Sequence, residues 1–159
     1  MVDEPLSRFS LRLRGAAIGA AGAAFGVALP RQACRAQRSG GKAALWLGPD
    51  EWLLLAPEAE APALARCLAA ALGEEPHSLV DISHRQLGLT VSGSDAEAKL
   101  SGGCPLDLDA RAFPVDMCTR TVFGKAEIVL WRTGSDAFHL EVWRSFHRYV
   151  SGYLAQDIA

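Results

Sequence analysis

The chain has 159 residues, half of them hydrophobic and 21 % charged, a composition that supports one packed core without disulfide or metal staples and excludes a disordered chain. A formal charge of −2, from 16 Lys and Arg against 18 Asp and Glu, with no run of basic residues along any element, excludes the broad positive field of a nucleic-acid-binding surface.

Phe9, Leu11 and Leu13 alternate with Ser10, Arg12 and Arg14, the period-2 pattern of a half-buried strand. Behind Arg8, Arg12 and Arg14 lies an uncharged run over 15–29. Basic residues before such a run are also the pattern of a secretory leader. Here the run is mostly Ala and Gly, and Asp3 and Glu4 precede the arginines, so it predicts a small-residue helix over 16–28, closed by Pro30, close to a sheet. About 20 apolar residues are needed to cross a bilayer, so no membrane span is expected.

Residues 31–42, rich in Arg, Gln, Ser and Gly, read as a mobile loop. Strands at 43–47 and 51–55 flank Gly48-Pro49-Asp50 and predict a hairpin, with Trp46 and Trp52 near its turn. Pro62 opens a helix whose apolar stripe is Leu64, Cys67, Leu68 and Leu72, ended by Gly73. Strands are predicted over 79–82 and 87–91. Ser94 and Glu97 have the spacing of a capping box, which predicts a short helix before Gly102-Gly103. Three further strands, over 119–123, 126–132 and 137–142, follow a loop that carries Asp107 and Asp109. On the last of them Phe138, Leu140 and Val142 face one way and His139 and Glu141 the other, which predicts one wet face. A final helix carries Trp143, Phe146, Val150, Tyr153 and Leu154 on one stripe, read as core.

The pattern is α+β: two β-α-β-β-type, ferredoxin-like halves that share mixed or antiparallel sheets, a structural repeat without a sequence repeat. No internal linker is rich enough in Pro, Gly or Ser to force a split, so residues 1–159 are expected to form a single domain.

Chemistry is sparse. Cys34, Cys67, Cys104 and Cys118 have no CxxC pair and no nearby His, which argues against structural zinc. Cys67, on the apolar stripe, reads as a buried free thiol, and the set fits a reducing cytoplasm. His77, His84, His139 and His147 have no metal-ligand spacing. Gly15, Gly19, Gly22 and Gly26 do not match a dinucleotide fingerprint, and Arg35 and Arg38 stand where its acidic residue belongs. The densest polar stretch is Asp81-Ile82-Ser83-His84-Arg85. In an extended strand Ser83 and His84 project to opposite faces and cannot act as nucleophile and base. Asp81 and Ser83 share a face, which predicts a buried carboxylate accepting hydrogen bonds from the hydroxyl and nearby N–H groups. Asp107 and Asp109 read as turn residues.

Val80 to Arg85, followed by Leu87-Gly88-Leu89-Thr90-Val91-Ser92-Gly93-Ser94-Asp95-Ala96, resembles the aminomethyltransferase family, the folate-binding T-protein of glycine cleavage. Further stretches narrow the resemblance: 45–52 (Leu-Trp-Leu-Gly-Pro-Asp-Glu-Trp), 103–108, 120–125 and 140–146. With them the chain resembles the γ-subunit family of heterotetrameric sarcosine oxidase over roughly 43–155. The resemblance implies an aminomethyltransferase N-terminal-domain fold and a cytoplasmic, non-catalytic subunit that meets α, β and δ subunits. It implies an assembly that oxidises sarcosine to glycine with formation of hydrogen peroxide, and tetrahydrofolate as one-carbon acceptor. FAD, FMN, NAD and zinc belong to that assembly, and this chain holds no cofactor, metal or catalytic residue. Asp81, Ser83, His84 and Arg85 are then structural motif residues, and Trp46 and Trp52 are candidates for the interface. The folate enzymes carry paired aspartates where this chain has Ala126 and Glu127, which removes the acid group that aminomethyl transfer needs. The alternatives are a stand-alone folate-binding or aminomethyltransferase-like protein and, third, an exported protein made from a precursor.

Overall fold

The computed structural model describes residues 2–156, with side chains from residue 5 onward; residue 1 and residues 157–159, at the ends of the expected 1–159 domain, lie outside the described residues. Backbone contacts divide the chain into two compact units, one over 5–83 and one that joins the N-terminal strand to everything from residue 84.

In chain order the strand β1 (Val2–Glu4) belongs to the second unit, and the first unit then runs β2 (Leu6–Leu13), α1 (Ala17–Phe25), β3 (Ala36–Ser39), β4 (Lys42–Gly48), β5 (Glu51–Pro57), α2 (Ala61–Leu72) and β6 (His77–Asp81). Its sheet has the order β3-β4-β5-β2-β6, all pairings antiparallel. Alternation on β2 buries Phe9, Leu11 and Leu13 in one cluster with Trp52, Leu54, Phe25 and the α2 stripe Leu64, Leu68 and Leu72. The helices α1 and α2 pack together.

Four expectations need correction here. The first helix ends at Phe25, where Gly26 turns left-handed at φ 86°, several residues before Pro30. Residues 31–42 contain an edge strand, β3, joined to β4 through Gly40 and Gly41 at φ 57° and 78°. Positive φ at both central residues is the geometry of the tight hairpin turn whose twist matches its strands, so the polar segment is paired. Cys67 is exposed on α2, one position off the line set by Leu64, Leu68 and Leu72. Along β6 every residue but half-buried Leu79 is exposed, because this strand lies at the sheet edge and pairs only with β2.

The second unit continues with β7 (Gln86–Ser92), α3 (Ala96–Ser101), β8 (Cys118–Phe123), β9 (Ala126–Gly134), β10 (Ala137–Trp143) and α4 (His147–Leu154), preceded by one 3-10 turn at Arg144–Phe146. The sheet order is β1-β7-β10-β9-β8, again antiparallel. Leu89, Val91, Ile128, Leu130, Phe138, Leu140 and Val142 form its core with Leu100, Val150 and Leu154 from the helices. Each Leu or Phe taken fully out of water contributes roughly 1.5–3 kcal/mol, so these clusters outweigh the exposed ion pairs as the source of each unit's stability.

The other face of β10 is not wet: His139 is 2 % and Glu141 0 % exposed, and a 2.8 Å hydrogen bond joins them. The capping box does not form; Asp95 is the N-cap of α3 and makes no side-chain cap bond. Trp143 ends β10 instead of starting the final helix, whose buried residues are Val150 and Leu154.

The two sheets have the same plan. In each, a strand and a helix lead to three successive antiparallel strands and a second helix, and the first strand sits beside the last of the three. The fifth place, beside that first strand, is taken in the first unit by β6 after α2, and in the second by β1 from the other end of the chain. The repeat is therefore one of topology, completed by a strand borrowed from the N-terminus.

Candidate functional site

The polar stretch at 81–85 leaves the extended conformation after Asp81 and turns through 83–85 before β7 begins. Asp81 Oδ1 accepts hydrogen bonds from the Ser83 backbone N–H at 2.9 Å and from the Ser83 hydroxyl at 2.6 Å. Ser83 Oγ in turn accepts from the Arg8 backbone N–H at 2.9 Å, and the Ile82 N–H donates to the Arg8 carbonyl at 2.8 Å. This chain of bonds ties the end of β6 to β2. The sequence anticipated the partners of Asp81 but not its surroundings, since the carboxylate is exposed.

His84 and Arg85 serve the second unit. The His84 carbonyl accepts from Arg144 Nε at 2.9 Å, and the Arg85 carbonyl accepts from the Arg144 backbone N–H at 2.8 Å. The Arg85 guanidinium lies 5.2 Å from the centre of the Trp143 ring, a cation–π geometry. The four residues thus act chiefly through turn and backbone bonds. The Ser83 hydroxyl donates to the Asp81 carboxylate, which also orders the turn.

Asp107 and Asp109 do what short loop aspartates do. Asp107 Oδ1 accepts from the Asp109 N–H at 3.0 Å, and Asp109 Oδ1 from the Arg111 N–H at 2.9 Å. The Arg111 side chain, hydrogen-bonded to Asp109, holds the Asp109 carboxyl below its usual range. Among the described residues no three His, Cys, Asp or Glu side chains are arranged to hold a metal ion, and no helix is long and apolar enough to cross a membrane.

The two tryptophans of the hairpin face each other in register, Trp46 opposite Trp52. Trp52 is 1 % exposed and its indole N–H donates to the Pro30 carbonyl at 2.8 Å, so it is a core residue. Trp46 is half-buried and packs against the same cluster. The aromatic exposed to solvent is instead Trp143, at 43 %, which helical spacing had assigned to the core. Sequence reasoning also missed Arg132, 3 % exposed, which donates to the carbonyls of Leu108, Phe113, Gly134 and Ser135.

Over residues 14–159 the chain matches the family described as sarcosine oxidase, gamma subunit. It is 39 % identical over 132 residues to the sarcosine oxidase subunit gamma of Corynebacterium sp. (strain P-1), which covers 82 % of this chain and 64 % of that protein. The subunit gamma of Arthrobacter sp is 42 % identical over 119 residues, 74 % of this chain and 58 % of the relative. The matched part is thus 58 to 64 % of the length of these relatives. Among solved structures, the heterotetrameric sarcosine oxidase from Corynebacterium sp. U-96, in complex with pyrrole 2-carboxylate, aligns with TM-score 0.86 and 33 % identity over 99 % of this chain and 86 % of that one. The glycine cleavage system aminomethyltransferase T from Bartonella henselae aligns with TM-score 0.76 over 98 % of this chain and 45 % of that one, at 14 % identity, a likeness of fold alone.

Proposed function

Because this chain belongs to the sarcosine oxidase gamma subunit family, we propose that it is the non-catalytic γ subunit of a heterotetrameric sarcosine oxidase, held against α, β and δ subunits. The assembly would oxidise sarcosine to glycine, pass the one-carbon unit to tetrahydrofolate and form hydrogen peroxide. The observation that carries the reading is the fate of the polar set: Asp81, Ser83, His84 and Arg85 engage one another and neighbouring backbone, with the Ser83 hydroxyl bonded to the Asp81 carboxylate and not to the His84 ring.

FAD, FMN, NAD, zinc and tetrahydrofolate are assigned by this reading to the other subunits. Two features among the described residues support this assignment. Where the folate enzymes carry paired aspartates, Ala126 is fully buried in the core and Glu127 is exposed, so neither of these two positions turns a carboxylate inward. Of the four glycines only Gly15 lies in the loop between β2 and α1, while Gly19 and Gly22 lie within α1 and Gly26 at its end, so they do not form a glycine-rich strand-to-helix loop of the kind that cradles phosphates. We place the protein in the cytoplasm, since among the described residues its cysteines form no disulfide and Cys67 is exposed, which suits a reducing compartment.

Co-expression tests the reading. With this chain present the other subunits should yield a stable four-subunit complex; without it, yield and sarcosine turnover should fall. Unchanged yield and turnover after its deletion would refute the proposal. The alternative, a folate-binding protein in its own right, draws on the aminomethyltransferase fold. Calorimetry of the isolated chain with a reduced folate separates the two, because stoichiometric tight binding belongs only to the alternative.

A further inference from the structure

From the second unit we infer a docking surface for an acidic partner surface, built by Arg85, Trp143, Arg144, Phe146 and Arg148, and the inference rests on the subunit reading above. Among the described residues, three of the six exposed large hydrophobic side chains, Trp143 at 43 %, Phe146 at 39 % and Tyr149 at 38 %, fall within seven positions. Tyr149 has a structural duty, its hydroxyl accepting the Lys125 backbone N–H at 3.2 Å. Trp143 and Phe146 have none of that kind. Both therefore keep apolar surface in water that a partner would bury.

Along the segment itself the charge is of one sign. Arg85 stacks on Trp143, and Arg144 is fixed by its bonds to the His84 and Arg85 carbonyls. Among the described residues neither guanidinium, nor that of exposed Arg148, is paired with a carboxylate, and the stretch 143–149 contains no Asp or Glu. Four arginines elsewhere do have carboxylate partners: Arg12 with Glu51, Arg14 with Asp50, Arg111 with Asp109 and Arg132 with Glu97. Exposed Trp and Arg together have the composition of interface hot spots, an aromatic anchor ringed by charge. Unpaired guanidinium groups that are already held in place meet carboxylates at a small entropic cost.

The occupant is therefore a surface of another subunit with an apolar centre and a rim of Asp and Glu. A second copy of this chain would bring the same positive patch and repel. A nucleic acid would need a longer basic track than three arginines on a chain of net charge −2.

The test uses the other subunits, co-expressed and purified without this chain, and measures their affinity for it at low and high salt. Arg85→Glu with Arg148→Glu should weaken binding about tenfold or more and flatten its salt dependence, and Trp143→Ser should weaken it about tenfold. Circular dichroism checks that each variant is folded; if the double variant is not, Arg148→Glu alone carries the test, since its side chain makes no hydrogen bond among the described residues. Arg31→Glu with Arg66→Glu, both exposed in the first unit, makes the same change in charge and should leave affinity unchanged. Folded patch variants that bind as the wild type does would overturn the inference, as would an equal loss from the control pair. Failure of the wild-type chain itself to bind would instead strike at the subunit reading, and the docking surface would fall with it.

Discussion

Arg132 is 3 % exposed, and burying a guanidinium is tolerable only because its nitrogens find acceptors. Its Nη1 donates to the Leu108 and Phe113 carbonyls at 2.8 and 3.1 Å, and Nη2 to the Ser135 carbonyl at 2.6 Å. It also lies 4.8 Å from the centre of the Phe138 ring. One side chain thereby pins the long 104–117 loop to the β9–β10 turn. Arg132→Met should lower stability by about 3 kcal/mol, because buried carbonyls are left without donors. Arg132→Lys should recover only part, since an ammonium cannot fork to several carbonyls. Urea denaturation of the three proteins checks this, and equal midpoints would contradict it. Nothing in the sequence signals the role: a charged residue near a strand end reads as exposed, and two of its acceptors lie 24 and 19 positions away. The partners of Asp81, Asp107 and Asp109 were legible because side chains of this type bond their own turns, two residues along.

At the level of elements, strands with regular alternation were legible to within a few residues, while polar or edge elements were not. The strand β3 buries only Ala36 and exposes Gln37, Arg38 and Ser39, so hydrophobic periodicity had nothing to detect; the Gly40-Gly41 pair was the signal available. The wet face assigned to β10 failed because alternation tells which residues share a face, not whether that face is shielded. The β8–β9 turn gives a test at this scale. Gly124 has φ 57°, and a Cβ there would overlap the Tyr149 hydroxyl. Gly124→Ala should cost about 2 kcal/mol or more, since the left-handed conformation alone costs an L-residue about 1–2 kcal/mol. Adding Tyr149→Phe should recover part of that loss, so a double-mutant cycle should show coupling; strictly additive effects would mean that the hydroxyl is not the obstacle.

For the molecule as a whole, the shared plan of the two sheets and the loan of β1 to the second unit bear on how the chain folds. We propose that residues 1–159 form one domain, because the second sheet cannot be completed from residues 84–156 alone. Calorimetry should then show a single transition with equal calorimetric and van't Hoff enthalpies, and two resolved transitions would contradict this. The same view bears on function. Asp81, Ser83, Asp107 and Asp109 bond within their own turns, and the surface of the second unit keeps Trp143 exposed beside Arg85.

The most direct measurement is sarcosine turnover by the complete complex carrying His84→Ala in this chain. His84 has the one exposed imidazole of the 81–85 stretch, and its ring makes no hydrogen bond among the described residues. A chain that only scaffolds predicts kcat and KM equal to those of the wild-type complex. A fall in kcat of about tenfold or more, with assembly intact, would show that this chain takes part in the chemistry.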